Sequence, residues 1–431
     1  MKKWLFFTLL LSFKFVFAQN LYFPPVVGNT WETVSPQTSM NWCPSKIDSL
    51  RQFLTTKNTK AFIVLKNGRI AIEWYFGTFT QDSAWYWASA GKSLTSFLAG
   101  MAQQEGILNI QDSTSKYLGV GWTSLTPVQE GKIKVVHQLS MSSGLDDGVA
   151  DDNCTTPQCL TYKAEPNTRW AYHNGVYHLI HNVIEKASGL TINQFTTQRL
   201  QTKTGITGLW LDHIFYSKPR SAARFGLLAL ANGVWNGEQL LRDTAYWRQS
   251  INTSQPMNKS YGYLWWLNGK GEHMLPQIRL VYPSDIVPAA PRDMYAALGK
   301  NDQKIYVVRS QNLVVVRMGD ASGIPLYALS NFDNELWEKL SKMTCTSSSE
   351  VITEQDIKVS PNPVASSLDL DLPENMLNTE GGIFLTNLTG QVYNLGILKS
   401  HISVSNLPNG LYILTIQTNN RLYKAKISIL H

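Results

Sequence analysis

The chain has 431 residues, enough for one large domain and a smaller one. Charged residues make up 16% and aromatic residues 11% of the chain, a balance that favours buried cores and argues against disorder. The formal charge of +7 is modest for this length, and the lysines and arginines are scattered. Without a basic run, nucleic acid is excluded as the expected partner.

The first 18 residues are typical of a secretory signal peptide. Lys2 and Lys3 precede an apolar stretch that ends at Ala18, a small residue of the kind found at cleavage sites. A membrane anchor is the alternative, but the apolar run is too short to span a bilayer comfortably. Residues 19–44 follow as an irregular, proline-containing arm. We therefore expect an exported protein, in which disulfides are permitted.

Residues 45–343 mix helical and strand patterns, as expected for one large domain. AFIVLKNGRIAIEWYF predicts a hairpin that turns at Asn67-Gly68, and two later strands pair around Gln311-Asn312. Apolar periodicity predicts helices over SKIDSLRQFLTT, residues 92–103, IKVVHQLSM, GVYHLIHNVIEKASG, RSAARFGLLALANG and NFDNELWEKLSKM. Strands at both ends with helices between them predict one sheet built from both termini.

The composition changes after this domain. Residues 344–355 are polar and lack aromatic side chains, which is typical of a linker. Residues 356–431 contain short alternating strands separated by turn residues and show no helical period. They predict a small all-β domain.

Four cysteines allow three disulfide connectivities. Cys154 and Cys159 bracket four residues, while Cys43 and Cys345 flank helices at opposite ends of the large domain. The preferred pairing is Cys154–Cys159 with Cys43–Cys345. A zinc site is the alternative, but the usual close cysteine pairs are missing.

A serine and a lysine with helical spacing occur in WYWASAGKSLTSFLAG. Ser89 begins a predicted helix, and Lys92 lies one turn later on the same face. A serine hydroxyl needs a base, and a lysine serves as one only if burial lowers its pKa. The same spacing recurs at Ser113 and Lys116, but that polar stretch predicts a solvated loop. Ser89 is therefore the candidate nucleophile.

Two further motifs could complete a site. In RWAYHNGVYHL, Tyr172 and Asn174 flank a histidine, and a phenol there could shuttle a proton. The alternative is a structural Tyr and Asn in a tight loop before a helix. In MYAALGKNDQKIYVV, the backbone around Gly299 and Lys300 could offer an N–H to an oxyanion.

Together these motifs resemble the serine β-lactamase and penicillin-binding-protein superfamily, over roughly residues 45–343. The likeness is closest to its class C-like branch, with esterases and 6-aminohexanoate-dimer hydrolases. It implies an antiparallel sheet flanked by helices, with a helical subdomain. It also implies Ser89 as nucleophile, Lys92 as general base, Tyr172 as proton shuttle and Asn174 as a substrate-binding residue. The oxyanion hole would be the backbone N–H groups of Ser89 and Lys300, and no cofactor is needed.

The third motif departs from the family pattern. Members usually carry Lys or His two residues before the glycine, whereas this chain has Ala297, Leu298 and then Gly299. We assign residues 297–300 to substrate and oxyanion binding, with Lys300 or Lys304 as substitute cations. The resemblance then implies hydrolysis of an ester or amide. A β-lactamase or D,D-peptidase is one alternative, and a surface binding protein without turnover is another.

Other residue clusters suggest rival sites. Three histidines, His173, His178 and His181, lack a supporting carboxylate pattern, so satisfied or surface side chains are expected rather than a metal site. Arg220 and Arg224 share a helix face, where structural pairing is expected. Four carboxylates miss the spacing of calcium loops and predict a solvated loop, Asp146, Asp147, Asp151 and Asp152.

The last 75 or so residues resemble the C-terminal sorting domain of the type IX secretion system in Bacteroidetes. The likeness rests on the opening Ser360-Pro361-Asn362-Pro363 and on the turn LPNGLY from Leu407 to Tyr412. It implies the secretion machinery as partner and a protein that is secreted or held at the cell surface. A carbohydrate-binding or spacer β-domain is the alternative.

Overall fold

The computed structural model describes residues 21–323, 328–345, 353–372, 381–418 and 421–431. The signal-peptide prediction falls on residues 1–18 and lies outside the described residues. By its internal contacts the chain divides into two compact units, Met1–Thr344 and Cys345–His431. No helix among the described residues is both long and apolar enough to cross a bilayer.

The first unit is built on a six-stranded antiparallel sheet. In chain order its strands are β1 Thr59–Lys66, β2 Arg69–Tyr75, β3 Trp266–Leu267, β4 Met294–Gly299, β5 Gln303–Val308 and β6 Leu313–Gly319. In space the order is β2-β1-β6-β5-β4-β3, so strands from both ends of the unit meet at its centre. The predicted hairpin is confirmed, since β1 and β2 turn at Asn67 and Gly68, both with positive φ.

Within the described ranges, five helices have ten or more residues. They are α1 Pro44–Thr56, α2 Gly91–Gln104, α3 Asn174–Ser188, α4 Pro219–Leu230 and α5 Asn331–Leu340. The predicted helix over IKVVHQLSM is shorter than expected, spanning Val135–Leu139. The other short helical segments are Pro36–Met40, Ala88–Ala90, Ser115–Leu118, Pro127–Glu130, Pro157–Cys159, Ile192–Thr196, Thr197–Gln201, Thr202–Thr204, Thr244–Ser250, Lys300–Asp302 and Arg309–Gln311.

Helices cover both faces of the sheet, as the alternation of side chains along β5 shows. Lys304 and Tyr306 both bond to Asp333 of α5. Ile305 points the other way, toward α4, where a Cβ added to Gly226 would lie 3.0 Å from it. Strands buried on both faces need apolar residues throughout, which explains the LVVV run of β6. The mixed fold with an antiparallel sheet and flanking helices confirms the predicted fold class.

A helical layer lies beside the sheet. Residues 91–102 of α2 are buried on every side, so this helix is central to the unit. Its Thr95 hydroxyl bonds to the Tyr177 hydroxyl and to His181 Nε2 of α3, at 3.0 and 2.8 Å. Short strands complete this unit at Trp85–Tyr86, Gly208–Leu211, Ile214–Ser217, Val234–Trp235, Glu238–Gln239, His273–Met274 and Val281–Tyr282.

The second unit is all-β, as predicted. Its five-stranded sheet has the spatial order Thr353–Asp356, Arg421–Ile429, Gly410–Thr418, Gly381–Asn387 and Val392–Ile397. A three-stranded sheet contains Val359–Ser360, Ser367–Leu370 and His401–Ser403. Alternating apolar residues of both sheets, including Leu368 and Leu414, form one buried cluster.

The two predicted cysteine pairings have different outcomes. Cys154 and Cys159 form a disulfide, as predicted. The pairing of Cys43 with Cys345 stays a prediction.

Candidate active site

Ser89 lies in a short turn that the neighbouring strands hold in place. Trp87, two residues before it, donates its backbone N–H to Phe215 and its indole N–H to the Ser217 hydroxyl, both at 2.8 Å. Ala88 then takes a φ of +47°, a conformation that few non-glycine residues adopt. One turn of 3₁₀ helix, Ala88–Ala90, leads directly into α2. Backbone strain next to a polar side chain is typical of a functional site.

Lys92 Nζ donates a hydrogen bond to Ser89 Oγ at 3.0 Å. The lysine is only 4% exposed, and its ammonium lies over the rings of Tyr177 and Tyr172, at 4.3 and 5.1 Å from their centroids. Burial lowers the pKa of Lys92 from 10.5 to about 7, and the nearby charge of Asp152 opposes part of that change. The amine is therefore poised between its neutral and charged forms near neutral pH.

The second Ser-x-x-Lys sequence has a different setting. Lys116 Nζ bonds to Asp112 at 2.6 Å, and its side chain is 62% exposed. The stretch is not the loop that the sequence predicts, because Ser115–Leu118 forms a short helix. Ser113 pairs with Lys134 through a backbone bridge. An exposed, ion-paired lysine stays charged and cannot act as a base.

Tyr172 also contacts the Ser89 hydroxyl. Its ring stacks on Trp266 at 6.1 Å and is otherwise enclosed by Trp170 and Tyr261. Burial raises the pKa of Tyr172 above its ordinary value, while a hydrogen bond with Ser89 acts in the opposite direction. The phenol therefore keeps its proton at neutral pH.

Asn174 is the first residue of α3 and lines the cleft. Its Nδ2 donates to Asp152 Oδ2 at 3.0 Å. Its Oδ1 is buried and, among the described residues, has no hydrogen-bond partner. In the amide of Asn174, the nitrogen is thus hydrogen-bonded, whereas the oxygen has no hydrogen-bond partner among the described residues.

The acidic loop before this motif is not simply solvated, which corrects the sequence-based prediction. Asp147 is buried and forms ion pairs with Arg169 and Arg279. Burial alone would raise the pKa of Asp147, but the two guanidinium groups outweigh it and lower that pKa. Asp152 lines the cleft. Both carboxylates contact residues distant in sequence, which spacing within the loop could not reveal.

The third motif ends β4 beside the nucleophile turn. A Cβ at Gly299 would lie 2.4 Å from the Trp87 carbonyl oxygen, so only glycine allows this close approach. Lys300, the next residue, lines the cleft. Ala297 and Leu298 are buried in the sheet and do not lie among the cleft-lining residues. This motif therefore contacts the site through its backbone and not through the side chains of Ala297 and Leu298.

Buried Arg317 holds the turn that follows Gly299. Its guanidinium donates to the carbonyl oxygens of Asn301 and Asp302 at 2.8 and 3.1 Å. Asn301 in turn donates to the Tyr86 hydroxyl at 2.7 Å. These bonds connect the turn around Lys300 to the strand that leads to Ser89. Lys304 lies elsewhere, buried against Asp333, so it does not reach the cleft as a substitute cation.

The cleft has a volume of about 680 Å³, in the range of small-molecule sites. Ser89, Lys92, Tyr172, Asn174 and Lys300, each singled out in the sequence, meet there. Asp152 and His178, named in the sequence for other roles, also line the cleft, and sequence reasoning missed the rest of its wall, which consists of Ala88, Asn153, Thr155, Tyr177, Asp212, His213, Ile214, Pro276, Gln277 and Ala328. Most of these residues come from loops and turns without a recognisable motif, whereas Tyr177 lies in α3 and Ile214 begins a short strand.

The three histidines singled out in the sequence have different surroundings. His178 stacks on His213 at 4.2 Å between ring centroids, at the edge of the cleft, and burial lowers its pKa to about 3. His181 is satisfied by Thr95, as expected. His173 is buried, and neither ring nitrogen has a partner among the described residues, contrary to expectation. In the part of the chain that the structure describes, no group of His, Cys, Asp or Glu could hold a metal ion.

The two arginines serve structural roles, as predicted. Arg220 forms two bonds of 2.7 Å with the carboxylate of Glu73. Arg224 donates to the backbone carbonyls of Thr204 and Pro25 at 2.7 and 2.8 Å.

Comparisons with known proteins identify the family of each part of the chain. Residues 53–323 match the beta-lactamase family, and residues 358–430 match the secretion system C-terminal sorting domain. An uncharacterized protein of Alkalihalophilus pseudofirmus is 22% identical over 305 residues, which cover 61% of this chain and 84% of the relative.

Solved structures share the fold at low identity. A Bacillus anthracis protein assigned as a 6-aminohexanoate-dimer hydrolase has a TM-score of 0.56 and 16% identity, covering 73% of this chain and 87% of that one. A penicillin-binding-protein homologue from Caulobacter crescentus has a TM-score of 0.53 and 11% identity, covering 69% and 98%. The chain therefore belongs to the beta-lactamase family, within the β-lactamase-like serine hydrolase superfamily, and ends in a sorting domain that indicates export and secretion or surface attachment.

Proposed function

We propose that the protein is an exported serine hydrolase that cleaves an ester or amide bond through an acyl-enzyme on Ser89. The observation that carries this proposal is the 3.0 Å hydrogen bond between Ser89 Oγ and the buried Lys92 amine. A nucleophile and a base within hydrogen-bond reach are the minimum that acyl transfer requires.

Acylation would begin with Lys92 in its neutral form. As Ser89 Oγ attacks the substrate carbonyl carbon, the Oγ proton passes to Lys92 Nζ and the carbonyl electron pair moves onto oxygen. The backbone N–H groups of Ser89 and Lys300 are the proposed donors to that oxyanion. With a pKa of about 7, a substantial fraction of Lys92 is neutral at physiological pH.

Tyr172 suits the second half of the step. Because burial raises its pKa, the phenol carries a proton at neutral pH. As the bond between the carbonyl carbon and the leaving oxygen or nitrogen breaks, the phenol can donate that proton to the leaving atom and recover one from Lys92, which leaves the acyl group on Ser89 Oγ. Water would then attack the acyl-enzyme, with the same groups transferring protons in reverse, and release the acid and free Ser89.

The substrate class follows from the third motif. Where the family usually has Lys or His, Ala297 is uncharged and buried in the sheet. A fixed cation for the carboxylate of a penicillin or a cell-wall peptide is therefore absent at that position. We propose a simple acyl ester or amide as substrate, rather than a β-lactam.

Hydrolysis of p-nitrophenyl acyl esters tests the proposal, with a chromogenic cephalosporin assayed beside them. Ser89→Ala should lose at least about a thousandfold in kcat. Ser113→Ala, which alters the second Ser-x-x-Lys sequence, should leave the rate unchanged. Rates unaffected by Ser89→Ala, or no hydrolysis by the parent protein, would favour a binding protein. Cephalosporin turnover comparable to ester turnover would instead favour a β-lactamase.

A further inference from the structure

Lys92 has fewer oxygen partners than its amino group can use. Among the described residues, Ser89 Oγ is the one hydrogen-bonding partner of Lys92 Nζ, at 3.0 Å. An ammonium group carries three N–H donors, and a neutral amine carries two N–H donors and a lone pair. At 4% exposure the side chain has little access to water. The remaining N–H groups therefore need a different kind of partner inside the protein.

The rings of Tyr177 and Tyr172 supply that partner. Their centroids lie 4.3 and 5.1 Å from Lys92 Nζ, so Tyr177 is the closer of the two. The face of an aromatic ring is electronegative, so it attracts an ammonium group and accepts a weak hydrogen bond from an N–H. Although the ring carries no charge, it favours the ammonium more than an aliphatic side chain of similar size would.

The hydroxyl of Tyr177 has a partner of its own. It bonds at 3.0 Å to the hydroxyl of Thr95, which lies one turn after Lys92 in α2. Thr95 also bonds to His181 Nε2 at 2.8 Å, so its hydroxyl connects α2 to two residues of α3. Tyr177 is only 2% exposed. These contacts hold the ring in place, and it presents its face to the lysine amine.

This arrangement orients the amine for proton transfer. To act as a base, neutral Lys92 must direct its lone pair at Ser89 Oγ, which then donates its proton. The N–H groups of the amine then face away from Ser89, where the two tyrosine rings are placed to accept them. Once the proton has moved, the same rings stabilise the ammonium that forms beside the substrate oxyanion.

We infer that Tyr177 is a positioning residue, whose ring face orients the Lys92 amine toward Ser89 and stabilises the ammonium that forms when Ser89 loses its proton. This inference rests on the proposed hydrolase function, because Tyr177 has this task only if Lys92 is the base. Tyr172 shares the contact with Lys92 but is also the proposed proton shuttle. Substitution of Tyr177 therefore isolates the effect of a ring.

Other titratable groups near Lys92 do not depend on this ring. The charge of Asp152 favours the ammonium, as the rings do. Burial lowers the pKa of His178, His181 and His213, and the charge of Lys92 adds to that effect, so these side chains are mostly neutral at pH 7. The other charged side chains of the cleft wall are Asp212 and Lys300.

Two variants test the ring through the pH dependence of p-nitrophenyl ester hydrolysis. In Tyr177→Leu the ammonium loses the attraction of the ring, so the neutral base persists to lower pH. The acid limb of kcat/KM should move to lower pH by about one unit. The plateau above it should fall by about tenfold, because the amine is no longer oriented. Tyr177→Phe keeps the ring and should retain the acid limb of the parent protein, with a plateau within about threefold.

Tyr246→Leu is the matched control. Tyr246 is 1% exposed, and its hydroxyl donates to the Ser96 carbonyl oxygen of α2 at 2.6 Å. It thus resembles Tyr177 in burial and in its bond to α2, whereas the ring closest to Lys92 belongs to Tyr177. Both leucine variants should unfold at a lower temperature than the parent protein. Only Tyr177→Leu should shift the acid limb.

A fluorinated ring keeps the test decisive if Tyr177→Leu does not fold. Trifluorophenylalanine in place of Tyr177 has nearly the shape of the Tyr177→Phe side chain, but its face is less electronegative. Its acid limb should lie about half a unit below that of Tyr177→Phe. Identical acid limbs in these two proteins would overturn the inference.

The other contrary results have distinct meanings. If the acid limb of Tyr177→Leu stays in place or moves to higher pH while hydrolysis still depends on Ser89, the inference fails and the proposed function stands. An equal shift in Tyr177→Phe would assign the effect to the hydroxyl, and an equal shift in Tyr246→Leu would assign it to loosened packing, and each would overturn the inference. Absence of hydrolysis by the parent protein, or hydrolysis that survives Ser89→Ala, would overturn the proposed function and the inference with it.

Discussion

At the residue scale, a lysine amine accepts a proton only when it is neutral, and burial makes this possible for Lys92. In water its pKa would be 10.5 and less than one molecule in a thousand would be neutral at pH 7. Lowered to about 7, the same group is neutral in about half of the molecules. The aromatic rings around it supply the apolar surroundings without contributing a compensating charge.

This setting predicts the pH dependence of turnover. Protonation removes the base, so kcat/KM for a p-nitrophenyl ester should fall as pH drops through about 7. Above that pH the rate should level, because Tyr172 retains its proton. A profile measured between about pH 5 and about pH 9 checks this. A flat profile through pH 7 would contradict Lys92 as the base.

The sequence predicts part of this site and omits the rest for a physical reason. Helical spacing brings Ser89 and Lys92 together, and Tyr172 and Asn174 are two residues apart. Both pairs can therefore be identified from the sequence pattern alone. Asp152 bonds to Asn174 across 22 residues, and the stack of His178 on His213 depends on how a hairpin packs against α3. Tertiary packing determines such contacts, and local sequence patterns carry no information about it.

At the element scale, the end of β4 and the nucleophile turn pack together with no space for a side chain at Gly299. Besides the Trp87 carbonyl, a Cβ there would lie 3.0 Å from the Ala90 nitrogen and 3.2 Å from the Ala88 Cβ. Three atoms of the turn that carries Ser89 thus restrict this one position. The distance between the two proposed oxyanion donors depends on this contact.

Gly299→Ala should therefore displace the Ser89 turn and lower kcat/KM by about 10- to 100-fold. The matched control is Gly323→Ala, because a Cβ added at Gly323 meets no atom of the described residues within 4 Å. Ester hydrolysis and thermal unfolding of both variants make the comparison. If Gly299→Ala kept full activity, the backbone of this turn would not be part of the site.

Elements with strong local patterns were predicted well, and elements set by long-range contacts were not. The hairpin at Asn67-Gly68 and the end of α3 at Gly189 follow from residues that tolerate positive φ. The acidic loop, predicted as solvated, is instead fixed by arginines such as Arg279, which lies 132 residues from Asp147. Ala297, assigned to the substrate site from its motif position, faces the core because the register of β4 places it there.

At the scale of the whole molecule, the chain combines a beta-lactamase-family unit and a sorting unit, each with its own apolar core. A domain with its own core can in principle fold alone. The family matches divide the chain in the same way, at 53–323 and 358–430. The composition becomes polar near residue 344. Because a polar linker contributes little to the core on either side of it, this change predicts two domains from the sequence.

Removal of residues 345–431 should separate export from catalysis. In a host with type IX secretion, the shortened protein should fail to reach the surface or the medium. Purified, it should retain kcat/KM within about twofold of the full chain. Fractionation and ester hydrolysis measure the two outcomes. Export of the shortened protein would contradict the role of the sorting domain.

The central claim is that Ser89 carries the acyl group during turnover. The direct measurement is mass spectrometry of peptides from the full-length protein, quenched in acid while it hydrolyses a p-nitrophenyl ester. We expect an acyl adduct on the peptide containing Ser89, in the parent protein and in Ser113→Ala, and none in Ser89→Ala. An adduct on another residue, or ester turnover without any adduct on Ser89 even when deacylation is slowed at low temperature, would contradict it.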